Sequence, residues 1–302
     1  MPLSQTGLGG GATSLFRAGG AGPLYEFLDA TFTNGGKTGY QGPSLSQARN
    51  GMSGTSHNNF KNDTTFFNVT NGQQYWMVPV DGTYRIEAAG AGMWSHRQGG
   101  YGAKMRGDFS LIKGEVIRIL VGQVGQQGGD AAGGSFVVRS PYNTNTSILV
   151  IAGGGGGGHA NGLQGLSNGN SSTNGRNATN LKNGLGYGGT NGQGGTSADS
   201  GAGGGFFGNG QSGSYSPNGG GVAYINGGYG GYEGGDNGGF GGGGTSGSSH
   251  GGGGGGYSGG GGSGEWPWHG GGGGSYNNGT NQTNNEGIIS DNSAFVKIEL
   301  IA

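Results

Sequence analysis

Six glycines in a row stand at positions 153–158, and similar runs recur at 241–244, 251–256, 259–262 and 270–274. Polyglycine loses more backbone entropy on ordering than any other sequence. Such runs must either stay disordered or offset that cost with dense bonding. One outcome is a low-complexity linker. The other is a bundle of extended polyglycine-II helices with three residues per turn. Strands without Cβ atoms can approach closely there, so that every N–H and C=O bonds to a neighbouring strand. At about 3.1 Å per residue, six glycines would span roughly 19 Å. Three features favour the bundle: the recurring run length, the short links, and the aromatics set between runs. Those aromatics are Phe206, Phe207, Tyr224, Tyr229, Tyr232, Phe240 and Tyr257. They can cover a bundle or seal it against another layer.

Composition excludes several classes. The chain of 302 residues has 86 glycines but only 7 prolines and no Gly-X-Y period, so it is not collagen-like. Charged residues make up 10% and the formal net charge is -1, which argues against a solvating tail and against a nucleic-acid partner. Cysteine is absent, so there is no disulfide or thiolate metal site. The N-terminus lacks the basic and apolar regions of a secretory signal, and no apolar run is long enough to span a bilayer.

The remaining signals are those of strands. Leu24–Thr33 reads as the first, followed by a loop from Asn34 to about Asn59. Gln74–Val80 reads as a strand with Pro79 at an edge or bulge. It leads through Asp81-Gly82 into Thr83–Ala88, where Tyr84, Ile86 and Ala88 alternate with polar residues. Ala103–Leu111 and Glu115–Val121 form a hairpin around Lys113-Gly114. Ser135–Arg139 and Ser147–Ala152 are short Val/Ile-rich strands, and Ala294–Ile301 alternates again at the C-terminus. No segment shows apolar residues at helical spacing between caps. A final apolar strand must pair with earlier ones to be buried, so the glycine-rich region, about 153–276, is an insertion held at both ends. Residues 1–23 read as an extended docking arm, with Leu15, Phe16 and Arg17 as its anchor, and 24–302 as one β-domain.

Several stretches resemble a known family. They are Trp76-Met77-Val78-Pro79, Gly82–Ile86, Gly107–Glu115 and Ile119–Gln123, with Val150-Ile151-Ala152 before the first glycine run. Together they resemble the glycine-rich domain of anaplastic lymphoma kinase-type receptors over residues 65–302. The resemblance implies an all-β fold, a jelly-roll-like β-sandwich with an inserted polyglycine-II bundle. The opening MPLSQTGLGGGATSLFRAGGAGPLYEF is similar instead to glycine-rich structural proteins of tailed marine phages, cyanophages included. Phage adhesins of the tail-fibre-tip class also use polyglycine bundles. The resemblance implies a virion protein, a tail-fibre or receptor-binding component. The alternative is a purely structural fibre joint or head or tail decoration. Expected partners are other virion proteins through the arm, further copies of the chain, and a host surface glycan or protein.

Catalytic chemistry finds little footing. Gly35-Gly36-Lys37-Thr38 ends like a phosphate-binding loop but has Thr31 where the motif needs glycine. Gly256–Gly260 matches G-x-S-x-G only because glycine is everywhere around it. Histidines 57, 96, 159, 250 and 269 have no ligand spacing, and the carboxylates are scattered. The reading is of no enzyme, no cofactor and no metal. The receptor-binding candidates are Trp266, Trp268 and His269, with Tyr257 and Tyr276. In Glu265-Trp266-Pro267-Trp268-His269 the rings either offer flat faces to a partner or plug the bundle against the sandwich, with Pro267 stiffening the loop.

Overall fold

The computed structural model describes residues 22–93, 99–158, 164–247, 250–264, 266 and 268–302. Leu15, Phe16 and Arg17 of the expected docking arm lie outside the described residues, as do Glu265 and Pro267.

The fold is all-β. Its strands are β1 (Asp29–Thr33), β2 (Phe67–Thr70), β3 (Gln73–Met77), β4 (Gly82–Ala89), β5 (Gly102–Leu111), β6 (Val116–Leu120), β7 (Ser135–Arg139), β8 (Ile148–Ala152), β9 (Tyr232–Glu233), β10 (Asp236–Asn237), β11 (Tyr276–Asn277), β12 (Thr280–Ile289) and β13 (Phe295–Leu300). One antiparallel sheet has the order β1-β13-β4-β5-β12, a second β11-β8-β7-β6-β3-β2, and β9 and β10 pair alone. The C-terminal strand β13 sits between β1 and β4, with Ile298 opposite Ile86 and Val296 opposite Ala88.

The two large sheets share one apolar core. Tyr84, Ile86, Val296 and Ile298 meet Trp76, Ile117, Ile119, Val137 and Val150 in it. Trp76 lies at its centre, with ring centroids 5.1 Å from Phe27 and 5.9 Å from Tyr84. Alternation along β4 and β13 thus sets one face inward, as the sequence pattern predicts.

The second sheet is buried on its other face as well. Leu120, Phe136, Val138, Ile148 and Ile151 point away from the first sheet. They pack against Phe206, Tyr224, Phe240 and Tyr257 of the glycine-rich region, with Phe207, Tyr229 and Tyr276 at the margin. This explains why β7 and β8 read as unbroken apolar runs: both faces are covered. Tyr232, also expected in that seal, is instead half-exposed and meets Tyr40 at 4.9 Å.

The glycine runs are ordered and bonded side by side. In 251–257 the N–H groups turn to three neighbours in strict rotation. Gly251, Gly254 and Tyr257 donate to Trp268, Gly271 and Gly274; Gly252 and Gly255 to Gly129 and Ala132; Gly253 and Gly256 to Gly201 and Gly204. The carbonyls serve three more. Gly252 and Gly255 accept from Gly157 and Gly154, Gly251 and Gly254 from Ser263 and Gly260, and Gly253 from Gly244. The run is therefore held on six sides, and five of the six neighbours are met again after three residues. No side chain would fit: a Cβ on Gly254 would lie 2.4 Å from the Gly154 carbonyl oxygen. The network also takes in Gly129–Ala132, ahead of the glycine-rich stretch. The segment between β8 and β11 leaves and returns at adjacent strands of one sheet.

Several elements differ from the sequence reading. The first strand is shorter, Asp29–Thr33, and the loop after it holds a helix, α1 (Leu45–Gly51). A capping box between Ser44 and Gln47 opens that helix. A second, four-residue helix, α2 (Gln164–Ser167), follows the first glycine run. Pro79 lies beyond the end of β3, and its carbonyl accepts from the Leu24 N–H. Strand β12 carries no apolar alternation and is exposed along most of its length.

Candidate functional site

The molecule has two unlike ends. Strand β4 runs from Gly82, beside the C-terminus, to Ala89, beside the start of the glycine runs. The Thr83 N–H donates to the Ala302 carbonyl at 2.7 Å, and the Gly90 N–H to Ala103 at 3.0 Å. The first described residues also lie at the Gly82 end. The Leu24 N–H bonds to Pro79, and Lys113 Nζ reaches the Gly22 carbonyl at 2.6 Å. Leu24, Leu28, Ile112 and Ile301 are exposed there; Ile112 is 68% accessible. We call this end the base.

The opposite end is where the glycine runs finish away from the sheets. Gly251 and Trp268 mark it, because Tyr257 and Gly274, at the other end of the same paired segments, abut the sheet. The chain turns at this tip bring together Tyr215, His250 and Trp268. Tyr215 stacks on His250 at 5.6 Å with 10° between planes, and His250 meets Trp268 edge-on at 5.9 Å. Trp266 is 66% accessible and Tyr215 59%. The Trp266 carbonyl accepts from the Asn180 side chain. Trp268 adopts φ +56°, a left-handed conformation in which a large side chain is strained.

Under the rings lies a charged anchor. Asp199 is buried, with Lys182 Nζ at 2.6 Å, Ser214 Oγ donating at 2.7 Å and His250 Nε2 at 3.8 Å. Burial pushes its carboxyl up, but the Lys182 and Ser214 hydrogen bonds outweigh that and hold it below the usual carboxylate range. The His250 ring is held on its other side, with Nδ1 2.6 Å from the Gly247 carbonyl oxygen.

The five candidates divide. Trp266 and Trp268 stand at the tip. His269 is fully buried, its Nδ1 3.5 Å from Ser167 Oγ and its N–H directed to Thr179 Oγ1. Tyr257 is buried at the sheet end of the same run, its hydroxyl donating to Asn145 at 2.9 Å, and Tyr276 packs on it at 4.9 Å. His269 and Tyr257 are packing residues. Sealing against the sandwich falls to Tyr257, Phe206, Tyr224 and Phe240, not to the tryptophans. Tyr215 and His250 escape a reading of the sequence because nothing in their flanking residues marks them; only the bundle brings them beside Trp268.

Among the described residues no group of three His, Asp or Glu side chains is placed to hold a metal ion, and no helix is long and apolar enough to cross a membrane. The Gly35-Gly36-Lys37-Thr38 lysine is turned onto its own loop, its Nζ 2.8 Å from the Gly42 carbonyl. No model of a known protein family matches the chain.

Proposed function

We propose that this chain is a virion protein of the tail-fibre, host-attachment type, in which a stiff spacer holds a recognition tip away from an anchored base. The observation that carries the reading is the opposition of the two ends. The first described residues, Ala302 and exposed Leu24, Leu28, Ile112 and Ile301 gather at one, and Tyr215, His250, Trp266 and Trp268 at the other. Exposed tryptophan and tyrosine held by a rigid frame are the residue types that dominate binding hot spots.

In this reading the spacer is a polyglycine-II bundle. The three-residue rotation of hydrogen bonds along 251–257 is what a three-per-turn helix requires. Its partner is a jelly-roll-like sandwich, supported by the chain's crossing between the two sheets after β3 and again after β5. The activity is binding, without catalysis, cofactor or metal. Residues 1–23 dock the base onto a neighbouring virion protein or another copy of the chain, and the tip meets a host glycan or protein.

Gold labelling of whole virions with antibody against the full chain tests this. Label at the distal ends of fibres is expected. Label on the head or collar would overturn host attachment and favour a purely structural virion role.

A further inference from the structure

The first sheet has one covered edge and one open edge. At the β1 edge, Thr31 and Ser53 exchange backbone bonds at 2.8 and 3.1 Å, and the Ser56 N–H bonds to the Asp29 carbonyl at 3.0 Å. At the other edge, β12 pairs with β5 alone. Among the described residues, no further backbone–backbone hydrogen bond engages Thr280–Ile289. An edge strand turns part of its N–H and C=O groups away from the sheet, and these are a ready template for another strand.

Open edges are ordinarily guarded by charge or proline. Thr280–Asn285 has neither. The one acid of the strand, Glu286, is held by Arg176 of the same chain at 2.6 Å. Register shifts lie on either side, but pairing is regular through Thr283–Asn285, and the strand is exposed there.

Direction points to an occupant. Strand β5 ends at the base, where Leu111 lies opposite Gly82. Strand β12 therefore starts nearer the base, with Thr280 opposite Asp108, and ends away from it, with Ile289 opposite Gly102. Gly22 stands at the base too, its carbonyl accepting from Lys113, two residues beyond β5. A chain that descends beside β12 toward the base runs antiparallel to it, like the paired strands of both large sheets. Residues 1–21 precede Gly22 and, extended, reach about 70 Å, whereas the length of β12 takes up about 34 Å. The remainder is enough to cross to a neighbour whose tip points the same way. Glycines 9–11 and 19–20 supply hinges on both sides of Leu15-Phe16. At the start of β12 a cleft of about 390 Å³, lined by Thr280, Asn278, Ser110 and Leu149 among others, has room for a phenyl ring.

We propose that β12 is the receiving edge for residues 1–21 of a neighbouring copy, which add to the first sheet as an antiparallel strand. The proposal rests on the reading of those residues as a docking arm and names the surface that takes them. Main-chain bonds along Thr283–Asn285 hold the arm, and the Phe16 ring enters the cleft. Each copy gives an arm and offers an edge, so the contact is heterologous and builds a ring with all tips on one side. It forms between molecules and adds nothing to the melting temperature of the dilute chain.

The test uses the full chain with photoreactive benzoylphenylalanine replacing Phe16, in a mixture of isotope-labelled and unlabelled copies. Cross-links from residue 16 to Asn278–Asn285 of a differently labelled copy are expected. Sedimentation of the unaltered chain is expected to show association that rises with concentration. Two variants, Gln282→Lys with Asn284→Lys and Leu15→Asp with Phe16→Asp, are each expected to weaken it at least about tenfold. One alters the edge and the other the arm, so the test stands if either fails to fold. The proposal is overturned if cross-links stay within one copy or land elsewhere on the neighbour, or if neither variant weakens association. A chain that remains monomeric yet needs residues 1–21 for incorporation into virions also overturns it, while leaving the docking arm in place.

Discussion

The Gly254 N–H donates to the Gly271 carbonyl at 2.9 Å, and the same two segments meet three residues earlier at Gly251–Trp268 and three later at Tyr257–Gly274. This parallel register positions the tip. It places Trp268 beside the end of the run that His250 precedes, so two rings far apart in sequence come into edge contact.

Gly254→Val tests the close packing directly. A Cβ there meets Gly154 oxygen at 2.4 Å and Gly273 nitrogen at 2.9 Å, both backbone atoms that cannot swing aside. Overpacking of this kind costs about 1–3 kcal/mol or more, and a clear fall in melting temperature is expected. Gly165→Ala is the control, since nothing lies within 4 Å of its Cβ position. Equal melting temperatures for the two variants would refute the lattice.

The division of the aromatic candidates makes a second prediction. Tyr257→Ala opens the cluster between bundle and sheet, costing about 3–5 kcal/mol as large core truncations do. Trp266→Ala removes an exposed ring and should change stability by no more than about 0.5 kcal/mol. If the tip recognises host cells, only the second variant loses adsorption without losing stability. The reverse pattern would show that Trp266 holds the fold together.

Asp130 gives the chain a particular response to acid. Its carboxylate is fully buried and accepts N–H bonds from Gln127 at 2.8 Å, Asn237 at 3.0 Å and Ser246 at 2.7 Å. Burial pushes its carboxyl up to about 6 despite those three donors, and the nearby Asp236 adds to the rise. A raised folded-state value means the folded protein holds the proton more tightly than the unfolded one. The resulting stabilisation is complete below about pH 4 and is lost as pH rises through 6. A rise of that size from the ordinary carboxylate range is worth roughly 3 kcal/mol at most. Asp108 is held below the usual range by Arg85, and Asp199 by Lys182 and Ser214 against the effect of burial. Both lose their contribution only in stronger acid, so the melting temperature should rise as the buffer is taken from about pH 7.5 to about pH 5. Asp130→Asn should flatten that rise and lower stability overall, because an amide nitrogen cannot accept from the facing N–H groups. A flat profile in the unaltered chain would show that the three donors win.

Removing residues 1–21 should leave the melting temperature unchanged, since the shared core of the two sheets begins at Tyr25. Under the proposed role the shortened chain folds but is not incorporated into virions. Normal incorporation, measured by protein content of purified particles, would refute the docking arm.

Legibility follows burial. Strands β4 and β13 announce themselves because one face is wet and the other dry. The hairpin expected around Lys113-Gly114 does not form: the chain turns at Gly114, φ +82°, but β5 pairs with β4 and β12 while β6 crosses to the other sheet and pairs with β3 and β7. Strand β12 is invisible in the sequence because Thr280–Ile289 has a polar, exposed surface and is held by pairing with β5 rather than by apolar contacts. Helix α1 is too short for a repeat to show, though Ser44 and Gln47 carry a readable capping signal. The tip is half legible: the tryptophans stand out by rarity, whereas Tyr215 and His250 gain meaning only from the register of glycine runs.

The three-residue rotation in 251–257 also constrains how such a protein can change its length over generations. Gaining or losing one glycine inside a run would turn every later residue by a third of a circle and hand each amide to the wrong neighbour. Gaining three would restore every pairing and extend the run by about 9 Å. Matching triplets would have to enter the neighbouring runs too, since each serves several others. Reach can therefore be expected to evolve in coordinated steps of three residues, while the loops at the tip remain free to vary one residue at a time.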